Sequence, residues 1–438
     1  MSHLTSLTRS GLSLLLLPVA ATPMAMAQAP ATPPPISNTM PTANFGFNLP
    51  SHLGTLTYSL TASELLQLGS GNGRVSSSTA GSGNLAYLSK SENDPFSLVY
   101  SGGFVHTNAP GSSNNETFQD LSFSQVYRTR SWVYVISDAL SYLPQSPTTG
   151  LSGIAGVGDV GVTPVQTGIG PGQTILTNYG RRVSNGLQGS ATWQITGATG
   201  LEGSASWQTI RFVGASNPGL DTSDLDFTFG PTHRINALSS IAAHASYSRQ
   251  TYPGFAGAVI ETEGLNFDYN RTWSRKISTN ISVGPEKTHG EGFGVFPPRT
   301  DLGVAASLTY AGRNTGTYLS YSRGVSGGSG VIPGAFTDTV SIGANRPMGR
   351  DWQAGINGSY SRSVALFEVN GLQTRIRSIF GAVQLSRRLT EDLSCYGGYT
   401  AIDQSITTPT LTENAFSGIR HIVSFGITFS PPPLHRAQ

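Results

Sequence analysis

Residues 186–208 read GLQGSATWQITGATGLEGSASWQ: a block, a turn, and nearly the same block again. In the first block Leu187, Gly189, Ala191, Trp193 and Ile195 alternate with Gln188, Ser190, Thr192 and Gln194. A period of two sends successive side chains to opposite faces of a strand, so the block has one apolar face and one hydroxyl-and-amide face. The link Thr196-Gly197-Ala198-Thr199-Gly200 is rich in turn formers, and the whole reads as a β-hairpin built twice from one template.

The same alternation extends in both directions. Leu56, Tyr58 and Leu60 alternate with Thr55, Thr57, Ser59 and Thr61, and Leu302, Val304, Ala306, Leu308 and Tyr310 with Asp301, Gly303, Ser307 and Thr309. Eighteen such segments, from 55–62 to 418–429, fit the chain, and a count of sixteen fits the same boundaries. Segments of about 10 residues suit tilted transmembrane strands, and an even count suits a single-chain barrel. Composition points the same way. Of the 438 residues only 11% are charged and 53 are Gly, against the roughly 25% charge of soluble domains. No apolar run after the N-terminus is long enough to cross a bilayer as a helix, which leaves a closed sheet as the way to satisfy the backbone in lipid. The fold class expected is therefore all-β, a closed antiparallel transmembrane barrel of sixteen to eighteen strands. A soluble β-sandwich would also bury aromatics on one face, but the strand count and the scarcity of charge oppose it.

The chain divides into four parts. Arg9, the apolar run Leu12–Ala21 and Ala25-Met26-Ala27 before Gln28 form a signal peptide over 1–27. Residues 28–53, rich in Pro, Ala and Thr, form a disordered lead-in. Residues 54–429 form the barrel, and 430–438 a Pro-rich tail that cannot extend a sheet. The single thiol, Cys395, can form no internal disulfide. Tyr100, Phe104, Phe123, Tyr127, Trp132, Tyr134, Phe267, Tyr269, Trp352 and Tyr360 end apolar faces where aromatic girdles belong.

The final strand carries the most specific signal. Ile419, His421, Val423, Phe425, Ile427 and Phe429 share one face, and Arg420, Ser424, Gly426 and Thr428 the other. It resembles the closing strand of bacterial outer-membrane β-barrels, and residues 54–429 are similar in architecture to large porin-like ones. The tail after Phe429, with Pro431-Pro432-Pro433, departs from that pattern. The resemblance implies the outer membrane of a Gram-negative bacterium and contact with its lipids and lipopolysaccharide. It implies recognition of the Phe429 strand by the barrel assembly machinery, and passive transport of hydrophilic solutes through a water-filled pore. Oligomers, common among porins, leave no legible signature. Export of an exopolysaccharide, with saccharides as cargo, is the alternative, followed by an adhesin or structural barrel and an outer-membrane enzyme.

Candidate functional residues lie on the hydroxyl faces and in one long insert. Arg outnumbers Lys 23 to 3, and Arg128, Arg388 and Arg420 fall on hydroxyl faces, as do Asp120, Asp226 and Asp268. These are the pore-lining candidates. Their arginines either stand free and select anions or pair with the carboxylates as braces. The insert 144–183, Gly-rich around Asp159, is a candidate constriction or a plain extracellular loop. Its glycines have no βαβ context and so form no phosphate cradle. His52, His106, His233, His244, His289, His421 and His435 are scattered, with no pairing that suggests metal ligation or a Ser-His arrangement. No catalytic residue, metal, cofactor or nucleic-acid partner is expected.

Overall fold

The computed structural model describes residues 55–69, 75–89, 91, 94–109, 112–144, 181–213, 221–254, 257–292, 296, 298–327, 332–368, 373–407 and 417–432. The stretches expected to be a signal peptide and a disordered lead-in, nearly all of the 144–183 insert including Asp159, and most of the tail lie outside them. Every regular element described is a strand: β1 (Thr55–Leu68), β2 (Ser76–Leu88), β3 (Phe96–Ala109), β4 (Ser112–Arg128), β5 (Trp132–Pro144), β6 (Arg181–Gln194), β7 (Thr199–Val213), β8 (Thr222–Asn236), β9 (Ser239–Tyr252), β10 (Ala258–Ser274), β11 (Ile277–Glu291), β12 (Arg299–Ala311), β13 (Gly316–Ser326), β14 (Ala335–Met348), β15 (Trp352–Ala365), β16 (Arg375–Arg388), β17 (Leu393–Ile406) and β18 (Gly418–Phe429).

Each strand pairs antiparallel with its neighbours in sequence, and β1 pairs with β18, so the eighteen-stranded sheet closes on itself. Closure removes the free edge that lipid would not tolerate. The seam runs from Leu68↔His421 to Leu60↔Phe429 and stops there, where Ser430 and the first tail prolines follow. Proline has no N–H to donate, which is why the ladder ends at Phe429.

The expected count of eighteen holds, and each expected segment overlaps one strand. Many strands run longer than the alternation suggested: β1 continues to Leu68 rather than stopping at 62, and β4 and β10 have 17 residues each. Lipid demands apolar residues only within its own thickness, so a strand that continues into water loses the signal while keeping its hydrogen bonds.

The barrel has a tight end and a loose end. Short links join β4 to β5, β6 to β7, β8 to β9, β10 to β11, β12 to β13, β14 to β15 and β16 to β17, while the opposite end carries longer ones, including 145–180. By this asymmetry the short turns are periplasmic and the long loops extracellular. Several turns share one device. The Oγ1 of Thr196 accepts from the Thr199 N–H at 2.9 Å, that of Thr390 from Leu393 at 3.0 Å, and that of Thr129 from Trp132 at 3.1 Å. Hydroxyl turns of this kind hold a hairpin without glycine in the left-handed region.

The exterior is apolar where a soluble protein would be polar. Phe229 (61% exposed), Ile342 (59%), Phe104 (57%) and Leu60 (56%) face outward in a continuous belt. Exposed apolar area on this scale is a membrane surface. At the turn end the belt closes on stacked rings: Trp132 lies 5.6 Å from Trp193 and 5.5 Å from Tyr134. Arg271 sits 4.0 Å over Trp273, and Arg387 5.1 Å over Trp352. Such rings with cationic tips belong at the headgroup level. The chain is thus a transmembrane barrel of the outer membrane.

Candidate functional site: the lumen

Since alternate residues of each strand face inward, the sequence pattern becomes the chemistry of the lumen. Two walls differ sharply. From β13 round through β18 and β1 to β3, the inward positions are largely hydroxyls and amides, among them Ser341, Ser359, Ser361, Thr61 and Ser78, with buried apolar residues such as Leu65, Val105 and Ile402 between them. They are joined sideways: Thr337 bonds Ser363 at 3.0 Å, Ser78 bonds Thr107 at 3.0 Å, and Thr61 bonds Thr428 at 3.0 Å. Apart from Arg388 and Arg420, this wall carries no charge among the described inward positions.

The other wall, β7 to β12, carries Glu202, Asp224, Asp226, Asp268, Glu286 and Asp301 on its inward face. Against these stand His244 and two arginines. Arg299 forks onto Asp301 at the loop end, and Arg234 donates to the Gly197 carbonyl at the turn end at 2.7 Å. The middle of this wall is therefore acidic. Asp226 accepts from Ser206 at 3.1 Å. Glu286 lies along the wall past Gly303 towards Gly324, where no side chain blocks it.

Glu202, His244 and Asp268 come together in the turn half of that wall. His244 Nδ1 and Asp268 Oδ2 share a hydrogen bond of 2.6 Å, and Glu202 lies within electrostatic reach of both. Glycine at 230 permits this. Gly230 sits between Glu202 and strand β9, so close that a Cβ there would meet the Ala243 carbonyl and His244 Cα. All three side chains are buried, yet Glu202 Oε2, His244 Nε2 and Asp268 Oδ1 have no hydrogen-bond partner among the described residues. Unpaired buried charge is costly, and a carboxylate in such a place is one that expects a counter-charge. No set of three His, Cys, Asp or Glu among the described residues is arranged to hold a metal ion.

The loop end of the lumen is narrowed by apolar packing. The residues that lead into β14 bend inward, so that Ile332 packs with Ala335, Ala365 and Ile376, and Phe212 of β7 and Ile406 of β17 pack on them. In the ring, β7 and β16 stand nine strands apart of eighteen, on opposite sides. A cluster that joins Phe212 to Ile376 therefore spans the mouth. Beside it Tyr252, Ala258 and Ile260 pack with Phe296, Phe336, Leu366 and Phe367. Gly327 follows the end of β13 and accepts from the Tyr252 hydroxyl at 3.4 Å, with Asp224 of β8 alongside.

The residues singled out from sequence take these places. Arg128 and Arg388 end β4 and β16, exposed at the turn end, and Arg388 donates to the Thr390 carbonyl at 3.1 Å and to that of Glu391 at 3.2 Å. Arg420 is buried near the loop end of β18. Asp120 lies between Ser101 and Ser141, and Asp226 and Asp268 lie on the acidic wall. Of the Arg–carboxylate bridges between described residues, Arg211–Asp221, Arg249–Glu261 and Arg323–Asp338 face outward and Arg299–Asp301 faces in. Two histidines meet carboxylates, His244 with Asp268 and His289 with Glu261 at 2.8 Å. Partners on neighbouring strands lie 24 and 28 residues apart, set by register rather than by sequence spacing. The apolar mouth was also missed. Its only trace in the sequence is the Gly-rich stretch 324–334 around Val331-Ile332-Pro333.

No protein-family model matches the chain, and no curated protein matches it in sequence. Solved structures resemble it at a distance. OpdQ of Pseudomonas aeruginosa is 9% identical with a TM-score of 0.44, over 87% of this chain and 98% of that one. OccK7 (OpdD) of the same organism is 11% identical with a TM-score of 0.44, over 87% and 99%. OccAB3 of Acinetobacter baumannii is 10% identical with a TM-score of 0.43, over 86% and 99%. At such values the likeness carries no argument about substrate.

Proposed function

We propose that the chain is a channel for passive passage of small hydrophilic solutes across the outer membrane. One observation carries the reading: a closed ring of eighteen strands whose inward face carries most of the hydroxyls and amides and a wall of carboxylates, with apolar residues among them. Barrels of this strand number are wide enough to hold an aqueous channel, and a polar interior has no use unless water wets it. Arg128, Arg388, Arg420, Asp120, Asp226 and Asp268 are lining groups in this reading. The apolar cluster across the mouth favours single small solutes over an extended polymer, because hydrophobic constrictions admit what can pass a narrow dewetted zone. Residues 1–27 direct export, and the outward row Arg323, Arg362 and Arg377 meets lipid headgroup phosphates above the apolar belt.

The test is the conductance of the purified full chain, refolded in detergent and inserted into planar bilayers, with swelling of liposomes in an isotonic sugar as a second readout. Discrete conductance steps and sugar-dependent swelling are expected. A folded barrel, verified by its heat-modifiable migration, that conducts nothing and admits no sugar refutes the channel.

A further inference from the structure

We infer that the acidic wall is a track for organic cations, and that Glu202, His244 and Asp268 form a binding station on it for an ammonium or guanidinium group. The inference rests on the channel reading and adds the chemical class of the solute.

Three facts converge on it. The first is charge. Six carboxylates face inward on β7 to β12, and the arginines there are spent elsewhere, Arg299 on Asp301 and Arg234 on a turn carbonyl. Opposite stands a wall without carboxylates, whose only charges at described inward positions are Arg388 and Arg420, so the negative charge lies on one side of the lumen. A lumen lined in this way concentrates cations and excludes anions.

The second is the valence of the station. His244 Nδ1 and Asp268 Oδ2 share a hydrogen bond, and the neutral imidazole with its proton on Nδ1 presents Nε2 as an acceptor. Glu202 Oε2 and Asp268 Oδ1 are acceptors too, and all three atoms lack partners on side chains more than nine-tenths buried. Two carboxylates beside an imidazole suit a cationic N–H donor, an ammonium or a guanidinium, which supplies both the counter-charge and the missing hydrogen bonds.

The third is placement. Asp224 stands beside Gly327 just under the mouth, Asp226 lies one inward step along β8, and the Glu202–His244–Asp268 station lies beyond them towards the turn end. A cation that clears the apolar mouth thus meets carboxylates in succession. His244 is a positioning residue: it fixes the Asp268 carboxylate and lends one acceptor.

The full chain in planar bilayers, in a KCl gradient, tests this by its reversal potential and then by titration with spermidine. K⁺ is expected to be preferred over Cl⁻, with about fivefold for each carboxylate in contact, the factor that ~1 kcal/mol of Coulomb attraction in bulk water supplies. Spermidine is expected to interrupt the current. The Glu202→Gln/Asp268→Asn double variant, folded by heat-modifiable migration, loses the block and most of the preference. Asp226→Asn, outside the station, lowers the preference and keeps the block, and it serves as the second variant if the double one does not fold. Conductance that favours Cl⁻, or a spermidine block unchanged in the double variant, overturns the inference and leaves the channel standing. A wild-type barrel without conductance overturns the channel and the station with it.

Discussion

Truncating Ile332 to Ala should open the mouth. Ile332 is 1% exposed and is the loop residue that ties Ala335, Ala365 and Ile376 on one side of the ring to Phe212 on the other. Full burial of an isoleucine side chain is worth about 1.5–3 kcal/mol, and cutting it back to Ala removes most of that, about 2 kcal/mol. The unbridged mouth gains what the bridged mouth loses, a factor of about 30 in their ratio at 1.4 kcal/mol per decade. In single-channel recordings of the full chain, Ile332→Ala should lengthen the dwell in the higher-conductance level relative to the lower by that order. Ile332→Val, which removes one methylene worth about 0.8 kcal/mol, should shift the ratio only about fourfold. A cycle with Phe212→Ala isolates the contact across the mouth, since the two truncations remove one shared interaction and should be less than additive. Dwell ratios for Ile332→Ala that superimpose on wild type would show that the cluster does not bridge the pore, and the reasoning would fail.

Gly230→Ala should cost roughly 1–3 kcal/mol, the usual range for overpacking, because its Cβ would enter the Ala243 carbonyl and part β8 from β9. Gly189→Ala, with nothing within 4 Å of its Cβ, should gain about 0.5–1 kcal/mol. Urea unfolding in lipid vesicles compares the pair, and equal midpoints would refute the close approach at Gly230. Ile342→Arg, on the lipid belt, should destabilise the barrel by about 2–4 kcal/mol if the residue lies near the bilayer midplane. The same assay measures it, and a cost near zero would move Ile342 out of the hydrocarbon.

The sequence by itself determined the fold and the sidedness of nearly every strand. Leu187, Ala191 and Trp193 could not change places with Gln188, Ser190 and Thr192 without turning lipid-facing residues into water, because a strand offers only two faces and each here has a different solvent. The closing strand was legible for the same reason, down to its stop at Phe429 before the prolines. The site was legible only as a list of inward residues. Asp226 and Asp268 stood on the hydroxyl face from the start, but their partners did not. Which of Glu202, His244 and Asp268 meet depends on the stagger of β7, β8, β9 and β10 and on a glycine at 230 that lets two strands approach. Register is a property of the closed ring, fixed by many ladders at once and encoded at no single position. The apolar mouth was less legible still. Phe212 and Ile376 lie on strands half a ring apart, and only closure of the barrel brings them to opposite sides of one opening that Ile332 can bridge.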